Sequence, residues 1–306
     1  MRRLLLVGAG FAGVTVARRL REASVAFDWV EAEHRVGGAL HRVHNPLYGW
    51  EGGATETGAE LARSLEQESA VGGLRLGLRV ERVARAADGF GVTWCAATGG
   101  EPEGPWQRVV LCTGTAPRRW EVPGSESRWG RGVELSTHAR GAAYAGRAVA
   151  VVGGGDAAAE GALRLASMGC PVWLVVRGPR LTAQTRFAAA VLEHPAIEIS
   201  FGCAVTAVES VEDEAHLRAI HLSDGRRICV AGLFVRVGVA PTLPELQPMP
   251  LVDAFGYLRV DASGETSVAG LYAVGEVSGR ETSQLAAVAE QAERVAAALV
   301  MNRSRA

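Results

Sequence analysis

The sequence predicts an α/β fold built from two Rossmann-like units with parallel central sheets, one inserted into the other. Three observations predict it. A glycine fingerprint, Gly8-Ala9-Gly10-Phe11-Ala12-Gly13, directly follows an apolar run, Leu4-Leu5-Leu6-Val7. A second, Gly153-Gly154-Gly155-Asp156-Ala157-Ala158, directly follows Ala148-Val149-Ala150-Val151-Val152. Each lies between a buried-strand run and a helical pattern, the context that makes a glycine motif a dinucleotide-binding turn. The first glycine allows the tight turn and the second lets backbone approach a pyrophosphate. The third position, Gly13 or Ala158, packs helix on strand. The helix N-terminus then offers N–H groups to the phosphates.

The remaining elements follow in order. Residues 14–22 carry a helical pattern, and Ala26-Phe27-Asp28-Trp29-Val30 reads as a strand ending at Glu31. An acid about 20 residues beyond the glycines is the expected partner of a ribose hydroxyl, and Glu33 is the neighbour that could replace it. Residues 61–68 look helical, and strand-like pieces follow at 74–76, 91–94 and 108–111. A small-residue turn, Thr113-Gly114-Thr115-Ala116-Pro117, comes next. The second unit repeats the first with a strand at 148–152, a helix at 157–167 and a strand at 172–176. It closes with 232–238 and the exit Pro241-Thr242-Leu243-Pro244. Leu271-Tyr272-Ala273-Val274-Gly275-Glu276 reads as strand plus glycine turn. The last helix places Leu285, Val288, Ala292, Val295 and Leu299 three and four apart, as a buried face requires. One domain is therefore discontinuous, 1–116 with 245–306, and the other is an insert at 117–244. The crossings at 115–117 and 239–244 are candidate hinges.

Composition narrows the partners. A net charge of −1 with interspersed signs points to neither nucleic acid nor an anionic membrane. The start, Met1-Arg2-Arg3-Leu4-Leu5-Leu6-Val7, stops being apolar at Gly8 and reads as a strand rather than a signal peptide. No run approaches the ~18 apolar residues that span a bilayer. Five cysteines, Cys95, Cys112, Cys170, Cys203 and Cys229, are odd in number and include no close pair. That pattern suits a reducing cytoplasm, with no disulfide framework and no metal site. Each cysteine is expected to be small buried filler.

With these residues in place the chain resembles the low-molecular-weight thioredoxin reductase family of FAD- and pyridine-nucleotide-dependent flavoproteins, over nearly its whole length. The resemblance rests on Gly8-Ala9-Gly10-Phe11-Ala12-Gly13 with Glu31, Gly37-Gly38-Ala39-Leu40, Leu111-Cys112-Thr113-Gly114, Val151-Val152-Gly153-Gly154-Gly155-Asp156, Gly238-Val239-Ala240-Pro241 and Ala273-Val274-Gly275-Glu276-Val277. It implies FAD on the discontinuous domain and a nicotinamide dinucleotide on the insert, with homodimerisation. FAD contacts are then expected from Gly8, Gly10, Phe11, Ala12, Gly13, Glu31, Gly38, Leu40, Thr113, Gly114, Gly275, Glu276 and Gln284. Nicotinamide contacts are expected from Gly153, Gly155, Asp156, Ala157, Ala158, Arg177, Arg180 and Gly238. Glu276 replaces the family's aspartate at the ribityl chain. Ala157 replaces a serine that often contacts phosphate. The helix starting Ser283-Gln284-Leu285-Ala286 is expected to aim its positive end at the flavin ring. Tyr48 and Trp50 are expected to be packing residues.

The resemblance breaks at one place. Where the family carries Cys-x-x-Cys-Asp, this chain has Ser136-Thr137-His138-Ala139-Arg140. A serine and an alanine cannot form the disulfide that thiol–disulfide exchange needs. Thioredoxin reduction by the dithiol route is thereby rejected, and His138 becomes the candidate proton donor near the flavin. Arg177 and Arg180 supply positive charge after the second strand of the insert, which favours NADPH over NADH. The expected chemistry is hydride from NADPH to FAD, then electrons to an external small-molecule or redox-protein acceptor. Alternatives are a ferredoxin or flavodoxin reductase, a bacillithiol-type disulfide reductase, and a non-catalytic flavin- and nicotinamide-responsive sensor.

Overall fold

The computed structural model describes residues 4–43, 47, 57–70, 73–95, 104–210, 215–279 and 284–301. Along the chain it forms β1 (Leu4–Val7), α1 (Phe11–Glu22), β2 (Asp28–Val30), α2 (Gly58–Ser69), β3 (Leu74–Arg75), β4 (Arg79–Ala86), β5 (Gly89–Cys95), β6 (Arg108–Leu111) and β7 (Thr115–Pro117). Then come β8 (Val133–Glu134), α3 (Thr137–Arg140), β9 (Val149–Val152), α4 (Asp156–Ser167), β10 (Val172–Val176), α5 (Thr185–Glu193), β11 (Ile197–Phe201), β12 (Val205–Ser210), β13 (Leu217–Leu222), β14 (Arg227–Ile228) and β15 (Gly232–Val235). The last elements are β16 (Val239–Pro241), β17 (Glu245–Gln247), β18 (Leu271–Ala273) and α6 (Leu285–Met301).

Two compact units result, 1–116 with 240–306 and 117–239. Residues 240–244, expected with the insert, group with the first unit instead. The Thr242 N–H donating to the Gly114 carbonyl at 2.9 Å fastens them there. The two crossing strands, β7 and β16, pair with one another.

The first unit is organised by a parallel sheet in the order β18-β6-β1-β2-β3. A strand buried on both faces needs apolar residues at every position, and the run Leu4–Val7 supplies them. Leu4 and Leu6 pack toward Val14, Leu20, Val288, Val295 and Leu299 on the helical side. Leu5 and Val7 pack toward Val83, Phe90, Val92 and Leu246, which belong to a smaller sheet ordered β17-β4-β5. Each such buried leucine contributes about 1.5–3 kcal/mol. Helix α2 starts on a capping box. Thr57 Oγ1 accepts the Glu60 N–H at 3.3 Å, and the Glu60 carboxylate accepts the Thr57 N–H at 2.7 Å.

The second unit repeats the plan with the parallel sheet β11-β10-β9-β15-β8. Val149 and Val151 face Ala158, Ala162, Leu165 and Val191 of α4 and α5. Ala150 faces Val208, Ile220 and Leu222 of the antiparallel sheet β12-β13-β14. The whole of this antiparallel sheet, with α5 and β11, lies between Val176 and Gly232, where the sequence names no element. Along β13, Ile220 and Leu222 are buried with the half-buried His221 between them, a short period-2 pattern that could have marked it.

Candidate functional site

The first cradle is the turn between β1 and α1. Gly8 has φ +106, where an L side chain is strained, and a Cβ there would overlap the Cys112 carbonyl oxygen. A Cβ on Gly13 would overlap the Gly8 carbonyl oxygen, so α1 lies directly on the turn. Gly10 differs from both. Among the described residues, its two chain neighbours apart, no atom stands within 4 Å of where its Cβ would be. It caps α1 with extended backbone and leaves the helix N-terminus open to an anion. Phe11 and Ala12 form the buried first turn of α1, three residues earlier than the helical pattern begins in the sequence.

Four further segments surround this turn. Glu31, buried at the end of β2, accepts the Ala9 N–H at 2.6 Å on Oε2 and the Glu33 N–H at 2.8 Å on Oε1. Glu33 itself is exposed and pairs with Arg79 at 3.3 Å, so Glu31 is the acid that faces the turn. Gly37 donates to the Ala9 carbonyl at 2.9 Å, and Gly38 brings its backbone against Gly10, with buried Leu40 behind. Thr113 follows β6 beside Gly8, and its Oγ1 is buried without a hydrogen-bond partner among the described residues. Leaving such a hydroxyl unpaired costs about 1–3 kcal/mol. An open glycine turn with an unsatisfied buried hydroxyl beside it fits a dinucleotide. Gly114, at φ +61, has open space at its Cβ position.

Gly275 and Glu276 form the fifth segment. A Cβ on Gly275 would stand 2.9 Å from Ala12 Cβ, which places this turn on the first turn of α1. The half-buried Glu276 carboxylate accepts the Thr115 hydroxyl at 2.6 Å. Gln291 of α6, buried, accepts the Gly275 N–H at 2.8 Å and donates to Ser278 Oγ at 2.9 Å. Gln284 is exposed just ahead of α6, and its carbonyl accepts the Val288 N–H at 3.0 Å. Ser283, Tyr48 and Trp50 lie outside the described residues. Thr115 and Gln291 are absent from the sequence-derived set. Gln291 had a signal, since it sits three residues after Val288 and four before Val295, on the buried face of the helix.

The second cradle repeats the first. Gly153 has φ +138, and a Cβ there would overlap the Arg236 carbonyl oxygen. Gly155 caps α4, and among the described residues beyond its own turn and helix Thr182 Oγ1, 3.9 Å away, is the one atom near its Cβ position. Ala158 is fully buried beneath the turn, and Ala157 is exposed with its carbonyl accepting from Arg236 at 3.3 Å. Asp156 is committed elsewhere, because its two oxygens accept the Gln184 backbone and side-chain N–H groups, both at 2.6 Å. Those bonds, with Thr182 and Ala183 N–H donating to Gly154, hold the 177–184 loop against the turn. Arg177 and Arg180 on that loop are exposed and make no ion pair among the described residues. Gly238, exposed at φ +89, accepts the Arg118 N–H at 3.0 Å.

At the segment that departs from the resembling family, Ser136 caps α3 by accepting the Ala139 N–H at 3.2 Å. His138 is half-buried within α3 of the second unit. Buried Glu134 binds the Tyr144 hydroxyl at 2.9 Å, and Arg140 lies 3.5 Å from the same carboxylate. Burial pushes the Tyr144 hydroxyl upward in pKa, and the bond to Glu134 adds to it. All five cysteines are free. Cys112, Cys170 and Cys203 are buried, but Cys95 and Cys229 are exposed, correcting the expectation of five buried fillers. Cys95 ends β5 and Cys229 directly follows β14, each next to a buried residue (Trp94 and Ile228), so extended-chain alternation turns its side chain to solvent. Burial pushes the Cys112 and Cys170 thiols above their ordinary values.

No described helix is long and apolar enough to cross a membrane. Among the described residues, no cluster of three or more His, Cys, Asp or Glu is placed to hold a metal.

Comparison with known proteins agrees with this geometry. The family described as pyridine nucleotide-disulphide oxidoreductase matches residues 2–292. The thioredoxin reductase of Treponema pallidum (strain Nichols) is 28% identical over 289 residues, covering 92% of this chain and 91% of that one. The Pneumocystis carinii thioredoxin reductase is 34% identical over 184 residues, 58% of this chain and 56% of its own, so the match spans about half that relative's length. Among solved structures, Lactococcus lactis thioredoxin reductase shares the fold with a TM-score of 0.83 at 20% identity, covering 99% of this chain and 100% of that one. Bacillithiol disulfide reductase Bdr (YpdA) from Bacillus cereus does so at 0.79 and 19%, covering 98% and 99%. Two open glycine cradles on two parallel sheets, matched over nearly the full chain, make this a member of the pyridine nucleotide-disulphide oxidoreductase family and a thioredoxin reductase-like, FAD- and NAD(P)-dependent flavoprotein enzyme.

Proposed function

We propose that the protein oxidises NADPH through FAD and reduces an external acceptor without a Cys-x-x-Cys relay. The observation that carries this is the doubling of one device with different neighbours. The first cradle has a carboxylate, Glu31, at its edge; the second has two exposed guanidinium groups, Arg177 and Arg180. A carboxylate suits free ribose hydroxyls, and arginine suits a 2′-phosphate. FAD therefore belongs to the discontinuous unit and NADPH to the insert, with NADH the poorer donor.

FAD, when bound, supplies the redox chemistry. The chain's residues hold and orient. Gly8, Gly10 and Gly13 with the first turn of α1 receive the pyrophosphate, Gly38 and Leu40 close the turn, and Glu31 receives the adenosine ribose. Thr113, Gly114, Gly275, Glu276 and Gln284 serve the rest of the flavin. In the insert, Gly153, Gly155, Ala157 and Ala158 shape the second turn, Asp156 braces the arginine loop, and Gly238 leaves backbone exposed. His138 is the candidate proton donor.

The acceptor is a small molecule or a redox protein. Ser136 already caps its helix and Ala139 has no sulfur, so neither relays electrons by thiol exchange. Buried thiols with raised pKa values, as at Cys112 and Cys170, are poor nucleophiles. A homodimer in a reducing cytoplasm is the expected setting, consistent with five free cysteines.

Rapid mixing of the FAD-loaded protein with each nicotinamide tests the reading. The flavin absorbance is expected to bleach faster with NADPH than with NADH; no bleaching with either rejects it. Steady-state turnover with ferricyanide distinguishes an enzyme from a non-catalytic sensor. Oxidised thioredoxin is expected to remain unreduced, while bacillithiol disulfide, ferredoxin and flavodoxin form the acceptor panel.

A further inference from the structure

We propose that Thr115 and Gln291 are positioning residues for the flavin, Thr115 by pinning one oxygen of Glu276 and Gln291 by locking the turn that presents it. The inference rests on the reading of the first unit as the FAD cradle.

Glutamate at position 276 has three side-chain torsions, and an unpinned side chain loses that freedom when it binds. Here the Thr115 hydroxyl donates to Oε2 at 2.6 Å, a short charge-assisted bond. The other oxygen, Oε1, has no hydrogen bond among the described residues. A carboxylate held by one oxygen with the other free is an acceptor prepared for an alcohol, the chemistry of a ribityl chain. Thr115 is itself held, because Arg42 Nη2 donates to its carbonyl at 3.3 Å.

The turn beneath Glu276 is fixed by a closed ring of bonds. Gln291 Oε1 accepts the Gly275 N–H at 2.8 Å, Gln291 Nε2 donates to Ser278 Oγ at 2.9 Å, and Ser278 Oγ donates to the Gly275 carbonyl at 2.9 Å. Gln291 is 7% exposed, so its amide has been desolvated to make these bonds. Gly275 lies on Ala12, within the first glycine fingerprint. The ring thus sets where Glu276 stands relative to the pyrophosphate turn. Neither Thr115 nor Gln291 needs to touch the flavin to do this.

The test is the dissociation constant for FAD of the full-length apoprotein, read from quenching of flavin fluorescence. Thr115→Val is expected to weaken binding about tenfold, and Thr115→Ser to restore wild-type affinity. In a Glu276→Gln background, Thr115→Val is expected to cost much less, because the charge it pins is gone. Gln291→Leu is expected to weaken FAD binding comparably, with Gln291→Glu recovering part of the loss through its retained acceptor. Wild-type affinity in both Thr115→Val and Gln291→Leu overturns the proposal and leaves the FAD reading standing. An equal loss for Thr115→Val with and without Glu276, or in Thr115→Ser, shows a merely structural role and also overturns it. A wild-type apoprotein that takes up no FAD overturns the underlying reading and the proposal together.

Discussion

Glu31 accepts the backbone N–H of Ala9 at 2.6 Å, joining the end of the second strand to the first glycine turn across 22 residues of sequence. Its other oxygen takes the Glu33 N–H, so both lobes of the carboxylate serve as acceptors. A primary amide has one acceptor oxygen and would turn N–H groups toward N–H groups. Glu31→Gln is therefore expected to cost about 1–3 kcal/mol of stability and to weaken FAD binding. Urea unfolding and flavin titration of the same variant measure the two effects; unchanged values in both would refute the assigned geometry.

Gly10 and Gly13 should respond differently to the same added methyl group. At Gly13 the Cβ would collide with the Gly8 carbonyl, so Gly13→Ala should destabilise the apoprotein. At Gly10 the described residues leave open space and the backbone is extended, so Gly10→Ala should cost the apoprotein no more than the ~1 kcal/mol by which alanine is the poorer N-cap. The same variant should reduce FAD affinity, because its methyl group would occupy the approach to the helix N-terminus. Thermal melts of the apoprotein and flavin titrations separate the two outcomes.

Arg177 and Arg180 lie on a loop braced by Asp156 and carry charge that no described residue neutralises. Replacing both with glutamine should weaken NADPH much more than NADH. A loss of about tenfold or more in the rate of flavin reduction at low NADPH is expected if they contact the 2′-phosphate. Stopped-flow traces with both nucleotides provide the comparison. Equal losses for the two would place the arginines away from that phosphate.

Acid should weaken the second unit through Asp224. The Cys203 thiol donates to its carboxylate at 3.1 Å and the Arg226 guanidinium at 2.8 Å, holding its pKa below the usual carboxylate value. A depressed folded pKa contributes stability above the unfolded value, about 3.9, and loses it as pH falls through the folded value. The urea midpoint should drop below about pH 4, and the Asp224→Asn variant should show a shallower drop. Parallel midpoint curves for the two proteins would remove Asp224 from the account.

Both glycine cradles could be read from the sequence because their cause is local. A continuous apolar run fits a strand buried on both faces, and a glycine at each turn is needed where backbone meets backbone. Residues 4–13 and 148–158 contain the whole of that information. The helical register of α6 was equally local. Between Val176 and Gly232 the signal was weaker. Strand β12 carries register shifts between Val205 and Ala207 and between Glu209 and Ser210, and such irregularities break the period-2 alternation that would have marked it.

The bonding partners of the site residues came from elsewhere in the chain. Thr115 and Glu276 are separated by 161 residues, and Asp156 and Gln184 by 28. The first pair forms because parallel strand order brings the ends of β6 and β18 side by side, and the second because β9 and β10 are neighbours; no local propensity encodes either adjacency. The same holds for Cys229, whose exposure depends on which face of its sheet met solvent. Sequence alone determined where the two glycine turns lie, since steric need for glycine acts within a few residues. Tertiary structure decided how Glu276 is held and where Asp156 is committed, since a hydrogen bond depends on which distant segments the sheet brings together.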